Sequence, residues 1–409
     1  MKLLNTDTLS QAQEKLKHQT KNFMIKTQTI EIQQALSYVC AQDVVALEYL
    51  PAFRRSTVDG YAIIAQDSYG ASESNPVFYD VVGHLAIDEY KDMTIHCQEA
   101  IQVQTGSMIP HEANAVLMVE YSEMYAQNKM IGYKAMSIGE NIVDIGEDIQ
   151  KGECLIQKGK RLDAFDIGIM ASLGMTHIDV YQPLTITIIS TGDELVDLNQ
   201  TRQGSQIYDI NSYVLSSRAK SLGLLLHQRL CMKDQEELIE EAVKKATQTS
   251  DIVILSGGSS KGNKDYTEAV LEKITHNVMT HGIAIKPGKP TIIAFDQENQ
   301  TIMVGLPGHP MAAFMMFELI LGNWLYEYMH ITKPLPYYAT MQENVSSNQG
   351  RETCLLVRLE NSMDGYLAYP IHTKSGNISR LSKAHGYVII PRQKEGLKKG
   401  ERIQVEVFL

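Results

Sequence analysis

Short apolar runs alternate with amphipathic helical patterns through the second half of the chain. The runs over residues 184–189, 224–230 and 252–255 predict buried strands, and residues 212–222 and 236–246 predict the helices between them. Regular alternation of strand and helix is typical of an open parallel sheet covered by helices. We therefore predict a three-layer α/β/α domain with a mostly parallel sheet.

The rest of the chain divides into segments with different patterns. Residues 9–19 and 31–43 have apolar residues at helical spacing, whereas residues 51–145 alternate short β-branched runs with turns. A helix over 165–173 is expected to pack on the N-terminal helices, which makes the β segment an insertion. A long helix over 311–329 ends the α/β domain. The predicted parts are a split N-terminal helical segment (1–50 and 146–182), an inserted β domain (51–145), the α/β domain (183–331) and a C-terminal β domain (332–409).

Three loops rich in glycine, lysine and proline lie in the α/β part of the chain. Each follows a short apolar run, so we expect all of them at the carboxyl edge of one parallel sheet, the usual ligand site of such folds. Glycine lets the backbone approach a phosphate closely, and lysine supplies a mobile cation. The pattern therefore indicates an anionic ligand. The loops are 256–262, 286–290 and 305–310, and the runs before them are 252–255, 283–285 and 302–304.

Carboxylates follow the other predicted strands. A single acid at such a position is usually a helix cap, and Asp265 fits that interpretation. Acids after three successive strands favour a second interpretation, a Mg²⁺ site, because this hard cation is commonly shared between carboxylates and substrate phosphates. The acids in question are Asp193, Glu194, Asp209, Asp234 and Asp265.

The glycine loop also invites two other interpretations. Residues 258–262 match the G-x-S-x-G pattern of serine hydrolases, but that motif needs a helix almost at once, and here the loop continues. The loop lacks the Gly-Lys-Ser/Thr ending of a Walker A motif. A purely structural turn stays open as an alternative, and phosphate binding is preferred.

Composition narrows the class of protein. The chain has 409 residues, a net charge of −11 and 44% hydrophobic residues, as expected of a globular protein of several domains without a nucleic-acid-binding face. Its five cysteines are widely spaced, so they predict neither a disulfide framework nor a C-x-x-C metal site. No signal peptide or run of about 18 apolar residues is present, so we expect a cytoplasmic protein that does not bind a membrane.

Taken in order, these motifs resemble the molybdopterin molybdenumtransferase family, which comprises the MoeA proteins and the gephyrin E domain. The resemblance implies an elongated homodimer and a C-terminal β barrel. It also implies an active site between the α/β domain of one subunit and the inserted β domain of the other. The similar segments are 51–62, 105–110, 140–148, 190–195, 208–211, 256–266, 284–290, 305–310 and 375–386.

The resemblance further implies a reaction in which molybdate is inserted into adenylylated molybdopterin, with Mg²⁺ as cofactor and release of AMP. The molybdopterin adenylyltransferase and molybdoenzyme maturation factors are the implied protein partners. Position by position, it assigns catalysis to Asp59, Thr105, Glu194, Asp234 and Asp265, with Glu194, Asp234 and Asp265 also holding the metal. Substrate binding is assigned to Ser256, Gly257, Gly258, Ser259, Asp209 and Pro290, and molybdate binding to Lys286, Lys289, Arg351 and Ser375.

The chain departs from the family pattern at several positions. Val143 replaces an arginine, His309 an asparagine, Gly282 a lysine and Ala312 a serine. These departures leave an alternative open, in which the chain is a non-catalytic scaffold or a paralogue with altered specificity, such as for tungstate. Retention of the acids and loop lysines favours catalysis.

Overall fold

The computed structural model describes residues 6–89, 91–257, 266–329, 331, 333–347, 349–372 and 376–408. Its central feature is a six-stranded sheet, in which the first four strands in sheet order are parallel, the fifth is antiparallel to them and the sixth again runs in their direction. The predicted mostly parallel sheet is therefore confirmed. In sheet order its strands are Leu225–Met232, Thr185–Thr191, Ile252–Gly257, Thr301–Leu306, Ile292–Asp296 and Val278–His281.

Helices cover both faces of this sheet. Successive side chains of a strand point to opposite faces, so Ile252 and Ile254 belong to one apolar cluster and Val253 and Leu255 to the other. This confirms the predicted three layers. One face is covered by helices Leu9–Gln19, Asn211–Ser221, Pro310–Phe317 and Asn323–Tyr328, and the other by Glu236–Thr247 and Tyr266–Thr275.

The predicted helix over 311–329 contains an irregular turn. A π-helical segment, Glu318–Gly322, separates Pro310–Phe317 from Asn323–Tyr328. Glu318 opens this segment and forms an ion pair with Arg218, and both side chains are less than a tenth exposed. The pair joins the helix to Asn211–Ser221, which begins at the ligand edge of the sheet.

The N-terminal segment is only partly as predicted. The helix over 9–19 is confirmed, whereas the helix over 31–43 is wrong, because strand Thr27–Glu31 is followed there by a short 3₁₀ turn, Ile32–Gln34, and by β-bridges at Val39 and Cys40. The strand pairs antiparallel with His177–Tyr181, and strand–strand pairing with this distant segment overrides the local helical spacing. Further along, Val44–Val45 pairs with Cys154–Ile156, and the helix expected over 165–173 is Ala164–Ser172.

Residues between these paired segments form a separate six-stranded sheet. Its hydrophobic side chains form two clusters on either side of the sheet, as expected of alternating β patterns. The strands, in sheet order, are Ala115–Met118, Gly60–Ile63, Glu99–Val103, Val77–Leu85, Lys129–Gly132 and Ser122–Ala126. Arg55–Ser56 and Ile142–Val143 pair beside it, and 3₁₀ turns occur at Ala65–Ser68 and Val119–Tyr121.

The C-terminal strands close into a barrel, as expected. Closure occurs because Glu352–Ser362 pairs with both Gly365–Pro370 and Gly386–Ile390. Tyr337–Met341 and Arg402–Val407 complete it. Val345–Ser346 pairs with Gly396–Leu397, and helix Ile378–Leu381 lies before the last strands. No helix within the described residues is long and apolar enough to span a membrane.

Candidate functional site

A cavity of about 370 Å³ opens at the carboxyl edge of the parallel strands. Its volume lies within the range of about 300–1,000 Å³ that is typical of ligand pockets. Five of the predicted site residues line it: Glu194, Asp209, Asp234, Ser256 and Gly257. The other lining residues are Ser190, Thr191, Leu195, Ile207, Tyr208, Ile210, Asn211, Gly308, His309, Pro310 and Gly376.

Two loops approach each other closely at the cavity floor. Gly257 has φ +150°, and a Cβ atom there would lie 2.2 Å from the carbonyl oxygen of Thr191. A Cβ on Gly308 would in turn lie 3.7 Å from the Cα of Gly257. Glycine is therefore required at 257, where both the conformation and the neighbouring backbone exclude a side chain.

Asn211 ties these loops together. Its Nδ2 donates to Ser256 Oγ at 2.7 Å and to the Gly308 carbonyl at 2.9 Å. Ser256 is almost fully buried, so the bond also satisfies a polar group that water cannot reach. Asn211 is not among the site residues that the sequence predicts. The available signal was its position just before the predicted helix over 212–222, two residues after Asp209.

Asp209 has clear structural contacts. Its Oδ1 accepts hydrogen bonds from Ser190 Oγ at 3.0 Å and from the Ser212 backbone N at 3.1 Å, at the start of helix Asn211–Ser221. Together with burial, Asp209 also raises the pKa of the Cys231 thiol to about 11, burial being the larger cause. These contacts give Asp209 a structural role at the start of this helix, and its role in substrate binding stays a prediction.

Asp234 is the most perturbed carboxyl group of the cavity. Burial raises its pKa above the ordinary value, the negative charges of Asp193 and Glu194 raise it further, and a side-chain hydrogen bond from Thr191 opposes the shift. Its Oδ1 is buried without a hydrogen-bond partner among the described residues. A buried, unpaired carboxylate oxygen beside a second carboxylate is a suitable ligand set for a hard cation such as Mg²⁺.

Two of the three predicted metal ligands lie among the described residues. No group of three or more His, Cys, Asp or Glu side chains gathers there closely enough to hold a metal ion. Glu194 and Asp234 both line the cavity. The third predicted ligand, Asp265, lies outside the described residues, as do the predicted substrate ligands Gly258, Ser259 and Ser375.

The loop over residues 286–290 lies at the expected edge of the sheet, but the run before it, 283–285, is not a strand of that sheet. His281 pairs with Ile292, and Ile292 with Gly305, which places residues 282–291 at the carboxyl edge of the parallel strands. The predicted sheet strand 283–285 is wrong, however, because Ile285–Lys286 pairs with Glu352–Thr353 of the barrel. The backbone groups of a loop at a sheet edge can pair with a strand of another sheet, and here a strand of the C-terminal barrel is that partner.

This pairing brings some predicted molybdate ligands together. Lys286 lies opposite Thr353, two residues from the partly buried Arg351, while Lys289 and Pro290 are exposed in the same loop. These residues do not line the cavity described above. Gly282 at the start of the loop has φ +94°, a conformation that disfavours the lysine of the family pattern.

Asp59 and Thr105 form a separate pair on the N-terminal sheet. Asp59 Oδ1 accepts hydrogen bonds from the Thr105 backbone N at 2.7 Å and from its hydroxyl at 3.0 Å. These bonds, the backbone one above all, lower the pKa of Asp59, which is exposed. Neither residue lines the cavity of the same chain. The structure thus divides the predicted residues among three places.

The fold and the cavity define a class of protein: a multidomain α/β protein with a carboxylate-lined ligand site at the carboxyl edge of its parallel sheet. Family models match most of the chain: the MoeA N-terminal region (domain I and II) at residues 8–174, a probable molybdopterin binding domain at 187–327, and the MoeA C-terminal region (domain IV) at 338–408. The chain belongs to the MoeA family of molybdenum cofactor biosynthesis.

Individual relatives agree with this assignment. The chain is 34% identical to a putative molybdopterin biosynthesis protein of Methanocaldococcus jannaschii, with 93% of this chain and 92% of the relative covered. It is 29% identical to a molybdopterin molybdenumtransferase of Staphylococcus epidermidis, with coverage of 93% and 91%. A crystal structure of a MoeA protein from Pyrococcus horikoshii matches with a TM-score of 0.86 at 32% identity, covering 98% of this chain and 99% of that one.

Proposed function

We propose that the protein is a molybdopterin molybdenumtransferase, which inserts molybdate into adenylylated molybdopterin and releases AMP. The observation that carries the proposal is the cavity itself, where carboxylates Glu194 and Asp234 face a glycine-walled floor at the edge of the parallel sheet. Family membership supports the substrate class. Acids facing a closely approaching backbone are what an enzyme needs to hold a phosphate together with its counterion.

In this proposal the residues of the cavity bind and orient the pyrophosphate. Gly257 and Gly308 present backbone without side chains to the cavity, where a phosphate would approach it, and Asn211 holds both loops in place. Glu194 and Asp234 would hold Mg²⁺, with Asp265 as the predicted third ligand. When bound, Mg²⁺ supplies charge neutralisation and polarisation of the scissile phosphoryl group.

The other predicted residues have separate roles in the proposal. Lys286, Lys289 and Arg351 would bind molybdate, because a tetrahedral dianion needs positive charge and several hydrogen-bond donors. Asp59 and Thr105 would reach the cavity of a second subunit in a homodimer. Their position outside the cavity of their own chain agrees with that arrangement.

The test is a turnover assay with purified protein, adenylylated molybdopterin, molybdate and Mg²⁺, in which AMP and active cofactor are measured. Glu194→Gln should reduce AMP release at least about tenfold, as expected for loss of a charged ligand worth about 1.5–3 kcal/mol. The matched control is Glu237→Gln on the exposed face of helix Glu236–Thr247, which should keep normal turnover. No AMP above background with the unmodified protein would refute the proposal.

A further inference from the structure

Part of the cavity lining is apolar and aromatic. Leu195, Ile207, Tyr208 and Ile210 contribute this part. The polar floor offers hydrogen-bonding sites for a phosphate, but a phosphate gains nothing from contact with apolar side chains. A ligand that fills the whole cavity therefore combines a charged group with a flat or apolar one.

Tyr208 makes a cation–π contact. The guanidinium of Arg202 lies over the Tyr208 ring, with Cζ 5.0 Å from the ring centroid. Tyr208 lines the cavity, whereas Arg202 is not among the lining residues. Such a contact favours one orientation of the ring and places a positive charge beside it.

The backbone around Tyr208 is equally well held. Strand Ile207–Tyr208 pairs in parallel with Leu195–Val196. On either side of Tyr208, the Ile207 backbone N donates to the Glu194 carbonyl at 2.8 Å and the Asp209 backbone N donates to the Val196 carbonyl at 3.0 Å. The ring is therefore mounted on a rigid element next to the proposed metal ligand Glu194, and a preorganised surface of this kind binds with little loss of entropy.

We infer that Tyr208, in cation–π contact with Arg202, is a stacking platform for a planar nitrogen heterocycle whose attached phosphate lies on the Ser256, Gly257 and Gly308 floor. The inference rests on the proposed function, because adenylylated molybdopterin carries two such rings, the adenine and the pterin. Either ring attached to a phosphate has the required chemistry. The binding experiment distinguishes them.

The experiment measures the dissociation constants of AMP, 6-hydroxymethylpterin phosphate and ribose 5-phosphate by calorimetry, with Mg²⁺ present. Tyr208→Leu should weaken binding of the stacked ligand about 5- to 100-fold, the usual effect of removing an aromatic ring that stacks on a base. Tyr208→Phe, which keeps the ring, should stay within about threefold, and Arg202→Ala should weaken binding about two- to fivefold. Ribose 5-phosphate should bind all variants alike.

The chain offers a matched control. Arg229 lies over the Tyr213 ring at 3.7 Å in the same type of pair, but neither residue lines the cavity. Tyr213→Leu should therefore bind the stacked ligand normally. A loss confined to AMP places adenine on the platform, and a loss confined to the pterin compound places the pterin there.

Two results would overturn the inference: unchanged affinity of folded Tyr208→Leu for both ring ligands, or no binding of either by the unmodified protein. Failure of the proposed function looks different. Ring binding that depends on Tyr208 without AMP release refutes the reaction alone, whereas turnover with binding independent of Tyr208 refutes the platform alone.

Discussion

Asp234→Asn is expected to stabilise the protein without Mg²⁺ while abolishing its activity. Asp234 Oδ1 is buried and unpaired among the described residues, and Asp193 and Glu194 place like charges beside it. A buried unpaired polar group costs about 1–3 kcal/mol, and more when charged. The amide removes the charge but leaves the oxygen unpaired, so the variant should gain about 1 kcal/mol at pH 7, the lower end of that range.

Magnesium should make the unmodified protein more stable than Asp234→Asn. At ten times its dissociation constant, a bound ion stabilises the folded protein by about 1.4 kcal/mol. The unmodified protein should gain this amount and overtake Asp234→Asn, which loses a ligand and gains less. Urea unfolding can be followed by the fluorescence of Trp324, because it is the one tryptophan of the chain and is buried in the α/β core.

The difference between the two proteins should also depend on pH. Because the folded state raises the pKa of Asp234, it holds the proton more tightly than the unfolded chain does. The stabilising contribution of the protonated group is fully present below the ordinary pKa of 3.8 and is lost as pH rises through the folded pKa. The advantage of Asp234→Asn should therefore vanish towards acid pH. A metal-free variant less stable than the unmodified protein at pH 7 would refute this reasoning.

Three further changes test other parts of the structure. Gly257→Ala should cost about 2–5 kcal/mol of unfolding free energy, from overpacking against Thr191 and backbone strain, and normal stability in urea would contradict the geometry. Glu318→Ala should lower the free energy of unfolding by about 3–5 kcal/mol, because Arg218 stays buried without the Glu318 carboxylate. The double variant Arg218→Met with Glu318→Leu should lose less than Glu318→Ala alone, and a larger loss in the double variant would contradict this. Lys286→Ala should weaken molybdate binding about 10- to 100-fold and leave AMP binding unchanged, as measured by calorimetry. Equal weakening of molybdate and AMP binding would contradict a role of Lys286 specific to molybdate.

Much of the α/β domain could be predicted from the sequence because its elements are local. Strand Ile252–Gly257 is a continuous apolar run, and helix Glu236–Thr247 has a clear apolar face, so each can be predicted from its own residues alone. Parallel order follows from their alternation. The carboxyl edge then collects the residues that follow each strand, which is why Glu194, Asp234 and Ser256 could be placed at one site.

Tertiary structure decided what depends on distant partners. Residues 31–43 have helical spacing, but Val39 and Cys40 form β-bridges with Arg161 and Val180 instead. Ile285–Lys286 leaves the α/β sheet because the barrel strand beginning at Glu352 pairs with it. Pairing between segments far apart in sequence leaves no local periodicity to detect.

The same distinction holds inside the site. The amino-acid sequence specifies which chemical groups are available: carboxylates for a cation, glycines for a close backbone approach and lysines for an oxyanion. The fold brings Asn211 between Ser256 and Gly308, and it brings Arg202 over the Tyr208 ring. These contacts depend on the relative positions of loops from different strands, and those positions are set by how the strands and helices pack.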